Sequence, residues 1–182
     1  MSSDVPGRKR KSESMSFRLD KRDLDGLREI AKNNKVSLNT LVSQIIDRYL
    51  KLWVFDHQFG FFSVAKKLLQ MTFVKYSDKE IDEIGEEIGS KAQKEIIRHL
   101  YGKVNKKTVL DYIDIFGTRF EGFRHFTEGS RHTLAVTHDI NLMFSKIYYA
   151  IIKSTLALAE IDTVESEADI SETGFSISFD LK

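Results

Sequence analysis

The residues Met15 to Leu52, MSFRLDKRDLDGLREIAKNNKVSLNTLVSQIIDRYLKL, change their hydrophobic period once, and that change limits what they can build. Met15, Phe17 and Leu19 alternate with Ser16, Arg18 and Asp20, the period of two that suits a strand with one greasy and one polar face. After Asp20 the period becomes three to four. Leu24, Leu27, Ile30 and Ala31 make one stripe, and Leu41, Ile45, Tyr49 and Leu52 make the next. Asp20 and Ser37 are residue types that cap helix N-termini, each cap worth about 1 kcal/mol. Asn33 or Asn34 suits the end of the first helix. The strand has no partner nearby in its own chain, which leaves half of its N–H and C=O groups unpaired unless a second chain supplies partners. The economical arrangement is an obligate dimer, an antiparallel two-stranded ribbon over four intertwined helices. Its shared core is expected to hold Phe17, Leu19, Leu27, Ile30, Leu41, Ile45 and Tyr49.

From Ser16 to about Tyr49 this segment resembles the ribbon-helix-helix DNA-binding family of the MetJ/Arc type. The resemblance rests on the SFRLD strand, the LDGLREIA helix and the VSLNTLV turn into the second helix. It implies a ribbon in the major groove of double-stranded DNA, with Ser16 and Arg18 meeting base edges and Arg18 suited to a bidentate contact with guanine. It also implies phosphate held at the start of the second helix by Ser37, Leu38 and Asn39, where free N–H groups and the helix dipole favour an anion. In the family the turn between the helices commonly carries Gly. Here Lys35 stands at that position, beside Asn34, which tolerates a positive φ better.

The chain of 182 residues is long enough for one or two domains, and its 41% hydrophobic content is ample for a core. It has no cysteine, which excludes disulfides, thiolate zinc sites and a cysteine nucleophile. No apolar run approaches the roughly 18 residues of a membrane span, and no secretory signal opens the chain, so the expected location is cytoplasmic and nucleoid-associated. The net charge of +1 hides an asymmetry: residues 1–52 hold 12 Lys/Arg against 7 Asp/Glu (+5), the remainder 16 against 20 (−4). A basic end on an acidic body fits a DNA-binding end on a non-binding one. The polar stretch 1–13 carries Arg8, Lys9, Arg10 and Lys11. It reads as a disordered arm that follows phosphates or enters the minor groove beside the ribbon, or else as a solvated tail or localisation signal.

The expected organisation is thus an arm over 1–13, a ribbon-helix-helix domain over 14–54 and an α+β domain over 55–182 that serves dimerisation or sensing. Residues 53–75 are dense in aromatics, which points to core or dimer interface, with a helix that runs on or turns at Asp56 or Gly60. Ser77-Asp78-Lys79-Glu80 is a capping box for a helix ending at Gly102, with Ile81, Ile84, Ile88 and Ala92 inward. Its carboxylates Asp82, Glu83, Glu86 and Glu87 read as a solvated face. Asn105 caps a third helix, Lys106 to Phe116, stopped by Gly117. Strands follow at Arg119–Thr127 and Arg131–Ile140 around Glu128-Gly129-Ser130, then a helix capped by Asn141 and ending near Ile161. The last two strands are Thr163–Ile170 and Phe175–Leu181, with Gly174 at their turn. This part therefore reads as three helices and a ββαββ unit, a helix packed on an antiparallel sheet. That order, with its terminal FSISFDL strand, is faintly similar to the vinyl-reductase-type domains that bind small molecules in some regulators.

His125, His132 and His138 fall on the first hairpin, and three imidazoles can bind nickel, zinc or copper. The nickel-responsive regulators join a ribbon-helix-helix to a histidine-bearing sensor domain. Against this, six positions of strand separate His132 from His138 by roughly 20 Å, so structural histidines are favoured. No phosphate-binding Gly loop, nucleophile elbow or HExxH is present, and a His138-Asp139-Ser145 triad has only sequence proximity behind it; no enzyme and no cofactor are expected. The reading is a dimeric, sequence-specific transcriptional regulator, possible tetramer contacts and a small-molecule or protein effector included, with no membrane partner. The alternatives are an antitoxin-like or partition-type DNA-anchored interaction module and a metal-responsive regulator.

Overall fold

The computed structural model describes residues 13–61, 63–73, 76–120, 122–164 and 167–181, apart from the side chains of residues 51, 52 and 55. Arg8, Lys9, Arg10 and Lys11 of the expected arm lie outside them. The chain divides into two compact units, Met1–Arg48 and Tyr49–Lys182, a boundary earlier than the expected 54.

In the first unit, α1 spans Lys21–Asn33 and α2 spans Leu38–Arg48. Asp20 caps α1, accepting from the Arg22 N–H at 2.8 Å. Ser37 caps α2, accepting from the Thr40 N–H at 3.0 Å. Between them Lys35, not Asn34, takes the left-handed conformation: its φ is +54°, while Asn34 stays right-handed at φ −81°. The Val36 N–H reaches back to the Ala31 carbonyl and the Lys35 N–H to that of Lys32, the paired bonds of a Schellman stop. Satisfying two helix-end carbonyls outweighs the penalty of a Cβ at positive φ. Ala31 and Leu41 are buried where the two helices meet. Residues 13–20 have no regular secondary structure and pair with no strand among the described residues.

The second unit opens with a π-helical turn, Tyr49–Trp53, followed by α3, Val54–Phe59, and α4, Lys66–Thr72. The aromatic stretch is thus two short helices divided at Gly60, whose φ of +71° ends the first. Part of it is core: Phe61 packs on the main cluster and Phe73 on a smaller one, whereas Trp53 stays more than half exposed. Arg119 pairs with Asp56 and lies over the rings of Phe61 and Phe116, at 4.8 and 5.2 Å from their centroids, which clamps α3 to the core.

The helix begun by the Ser77–Glu80 capping box is continuous but changes pitch: α5 covers Asp78–Glu86, a π-helical turn Glu87–Ala92, and α6 Gln93–Tyr101. Gly102 ends it at φ +72°. Asn105 caps α7, Lys106–Gly117. Strand β1 is Arg124–Glu128 and β2 Arg131–Thr137; α8, Leu142–Ala157, is capped by Asn141; β3 is Asp169–Ser171 and β4 Gly174–Asp180. The sheet is antiparallel, in the order β1-β2-β4-β3. The ββαββ unit is therefore present with shorter strands than its periodicity suggests. Residues 118–120 form turns at the end of α7 before β1 starts, and Thr163 touches the sheet through a single bridge to Phe179.

Alternation on β2 and β4 puts Leu134, Val136, Phe175, Ile177 and Phe179 on one face, where they meet Val109, Ile113 and Phe116 of α7 and Ile152 and Leu156 of α8. The other side of α8 packs on α5 through Ile81, Ile147, Ala150 and Ile151. That crossing is close because glycines allow it: a Cβ on Gly85 would stand 2.4 Å from the Ala150 Cβ, and one on Gly89 2.5 Å from the Ile151 carbonyl oxygen. Among the described residues no helix is long and apolar enough to cross a membrane.

Candidate nucleic-acid interface

Ser16 and Arg18 lie in the exposed run from Glu13 to Asp20, which has no regular secondary structure. Among the described residues Arg18 has no ion-pair partner, so its guanidinium donors remain available. The Asp20 carboxylate is committed to the α1 cap, which withdraws it from that polar face. At the head of α2 the Ser37 hydroxyl accepts from Thr40 and lies 2.7 Å from the Thr40 hydroxyl. The N–H groups of Leu38 and Asn39 belong to the first turn and have no acceptor inside the helix. Asn39 is exposed and Leu38 half-buried. Lys21, Arg22, Lys32 and Lys35 of the same unit are exposed, while Arg28 is tied to Asp25 at 3.0 Å.

The apolar half of the same segment is uncovered. Phe17 is 59% exposed, Leu19 50%, Ile30 48% and Ile45 47%, and Met15 and Ile46 are exposed with them. Of the expected shared core, Leu41 is buried and Leu27 half-buried within the single chain, while Tyr49, 52% exposed, begins the second unit. Phe17, Leu19, Ile30, Ile45 and Ile46 are each about half exposed, which forgoes on the order of 1 kcal/mol per side chain.

No family model, curated protein or solved structure matches the chain.

In the second unit the three hairpin histidines separate into two places. The His125 Nε2 lies 2.9 Å from the His132 Nδ1, and the His125 Nδ1 lies 2.7 Å from a carboxylate oxygen of Asp114 on α7. The His132 ring stacks on Phe179, with 5.3 Å between centroids and 9° between planes. Burial, together with the neighbouring His125, pushes the His132 imidazole below its ordinary range. Beside this chain Tyr101 is pushed up to about 12, by burial first and then by the carboxylates of Asp111 and Asp114. Asp114 escaped the sequence reading because it lies 11 residues before His125, on a helix; its only sequence signal is its place one turn after Asp111 on α7.

His138 stands apart, past the end of β2. Its Nδ1 accepts from the Ile140 N–H at 3.2 Å, so its Nε2 carries the proton and donates to the Ser145 hydroxyl at 2.9 Å. The fully buried Ser145 in turn donates to the Ser171 carbonyl at 2.6 Å. A nucleophilic serine would donate to the imidazole, the reverse of this direction. Asp139 completes no triad, since its carboxylate pairs with Lys66 at 2.8 Å. Among the described residues no three His, Asp or Glu side chains are grouped to hold a metal ion. The exposed carboxylates of α5 belong to a solvated face, as with Lys79–Glu83 and Lys91–Glu87 pairing along the helix. A shallow groove of about 390 Å³ lies there, between Tyr76, Ile84 and Ile88 and the carboxylates of Glu80, Glu83 and Glu87.

Proposed function

We propose that the protein is a dimeric, sequence-specific DNA-binding transcriptional regulator. Two copies pair their residues 15–19 as an antiparallel ribbon, bury the uncovered stripes of α1 and α2 in one core and insert the ribbon into the major groove. Ser16 and Arg18 read bases; Ser37, Leu38 and Asn39 hold phosphate; the Arg8–Lys11 arm adds salt-dependent affinity. The second unit supplies further self-association or senses an effector. The carrying observation is the pairing of two opposite surfaces on one small, well-capped segment: a large apolar face without cover and an exposed arginine without a partner.

A DNA-anchored module whose C-terminal part folds only on a partner is less well supported, because the second unit buries its own core. A regulator that binds metal through all three hairpin histidines is disfavoured by the separate engagement of His138.

The test is selection from a random duplex pool by the full-length protein at near-physiological salt, with sequencing. Enrichment of a repeated or palindromic half-site supports the reading and gives the half-site spacing; binding that merely fades with salt and selects nothing rejects it. Arg18→Ala is expected to erase about 1–3 kcal/mol of discrimination at one base pair while the dimer stays folded. Unchanged base preference in that variant would remove Arg18 from the reading face.

A further inference from the structure

The outermost strand β1 pairs only with β2 among the described residues, so its other edge is open. Its sequence, Arg124-His-Phe-Thr-Glu128, is complementary to itself when reversed. We propose that this edge is a second self-association surface, on which β1 of another copy pairs antiparallel about a two-fold axis at Phe126 and joins two four-stranded sheets edge to edge. The proposal does not depend on DNA binding.

The backbone has the parity this requires. Glu128 and Arg131 face each other across the two-residue turn Gly129-Ser130, and the closing pair of such a hairpin exchanges hydrogen bonds. Arg124, Phe126 and Glu128 therefore spend their N–H and C=O groups on β2, and His125 and Thr127 aim theirs at the open edge. About an axis at Phe126, His125 of each copy meets Thr127 of the other, and both are outward-bonding residues. Phe126 then faces Phe126, and Arg124 faces Glu128 at both ends. An antiparallel pairing shifted by two residues would set Arg124 against Phe126 and leave both charges without a mate.

The side chains agree with that register. Arg124, Phe126 and Glu128 lie on the face turned away from the core, all exposed, Phe126 at 57%. Arg124 donates only to the neighbouring Phe123 carbonyl, at 2.7 Å, and among the described residues neither it nor Glu128 has an ion-pair partner. The opposite edge, β3, is three residues long with Asp169 at its start and provides no such match. An exposed edge carrying an apolar centre between opposite charges suits an isologous partner, and a second copy of this chain is the one that is complementary at every position.

The chain has no cysteine, so Phe126→Cys introduces a single thiol. Residues facing each other in a non-hydrogen-bonded antiparallel pair have Cα atoms about 4.5 Å apart, inside the range a disulfide spans. Full-length Phe126→Cys should form a covalent dimer under mild oxidation much faster than Asp169→Cys, whose thiol would lie on the opposite edge. In sedimentation of the full-length chain, Arg124→Glu should weaken the self-association step by about tenfold, since two attractive pairs become repulsive. The double variant Arg124→Glu/Glu128→Arg should restore it, which a merely misfolded variant would not do. Equal cross-linking at the two edges, or a double variant no better than Arg124→Glu, overturns the proposal. Neither readout involves DNA, so its failure and that of the regulator reading are separable.

Discussion

Lys35 holds a backbone conformation that a side chain with a Cβ enters only at a cost of about 1–2 kcal/mol. The Schellman bonds from Lys35 and Val36 keep it there. Lys35→Gly should relieve most of that strain, less the extra entropy lost by glycine on folding, and raise stability by about 0.5–1 kcal/mol in urea denaturation. A lower midpoint would mean that the Lys35 side chain makes a contribution of its own. His138 and His132 are both held below the ordinary imidazole range, chiefly by burial. In the unfolded chain they take up protons near pH 6.5, and in the folded protein only at lower pH. Below that value the unfolded state therefore binds more protons, and stability falls as pH drops from about 7.5 to 5.5. The urea midpoint should follow that sign, with a flatter slope in His138→Gln, where one of the two imidazoles is gone. A midpoint that rises on acidification would contradict the assigned causes.

The long helix from Asp78 to Tyr101 bulges into π geometry where it crosses α8, over Glu87–Ala92. Gly85 and Gly89, one turn apart, let the two backbones approach, and Thr155 donates to its own helix at the Ile151 carbonyl at 2.7 Å there. A methyl at Gly85 would collide with Ala150 in both side chain and backbone, leaving no flexible group to yield. Gly85→Ala should therefore destabilise the second unit by about 1–3 kcal/mol, whereas Gly26→Ala, in open space on α1, should not. Thermal melts of the two variants would show whether the crossing is as tight as these distances. The Ser77–Glu80 capping box, the Gly102 stop and the hairpin turn are legible in the sequence, because each is a local event within a few residues, while Gly60 is only one of the places where the aromatic stretch could turn. Strand ends are not legible, since where β1 and β3 begin is decided by which residues find a partner across the sheet.

The two units differ in what holds them together. Tyr49–Lys182 contains a closed core of α7, α8 and one sheet face, while Met1–Arg48 buries only Ala31 and Leu41 among its described apolar residues. Residues 49–182 alone should unfold cooperatively, and with the β1 edge disabled by Arg124→Glu their midpoint should not depend on concentration. If a second copy completes its core, as proposed, a fragment of residues 1–54 should melt at a temperature that rises with protein concentration. A concentration-independent melt of the shorter fragment would count against the ribbon dimer.

Read by itself, the amino-acid order determined the features that depend on neighbours three or four positions away. These are the period change at Asp20, the caps at Asp20, Ser37, Ser77, Asn105 and Asn141, the helix that follows each, and the α+β class of the second unit. It could not determine which residues on different elements share a hydrogen bond. Only the tertiary structure joined Asp114 to His125 and His132, turned His138 toward Ser145, and gave the left-handed position to Lys35 rather than Asn34. Two physical reasons account for these. An imidazole's partner is chosen by the packing of a helix on a sheet, and a strained φ is tolerated where two helix-end carbonyls are satisfied by it, and neither condition is written in local propensity.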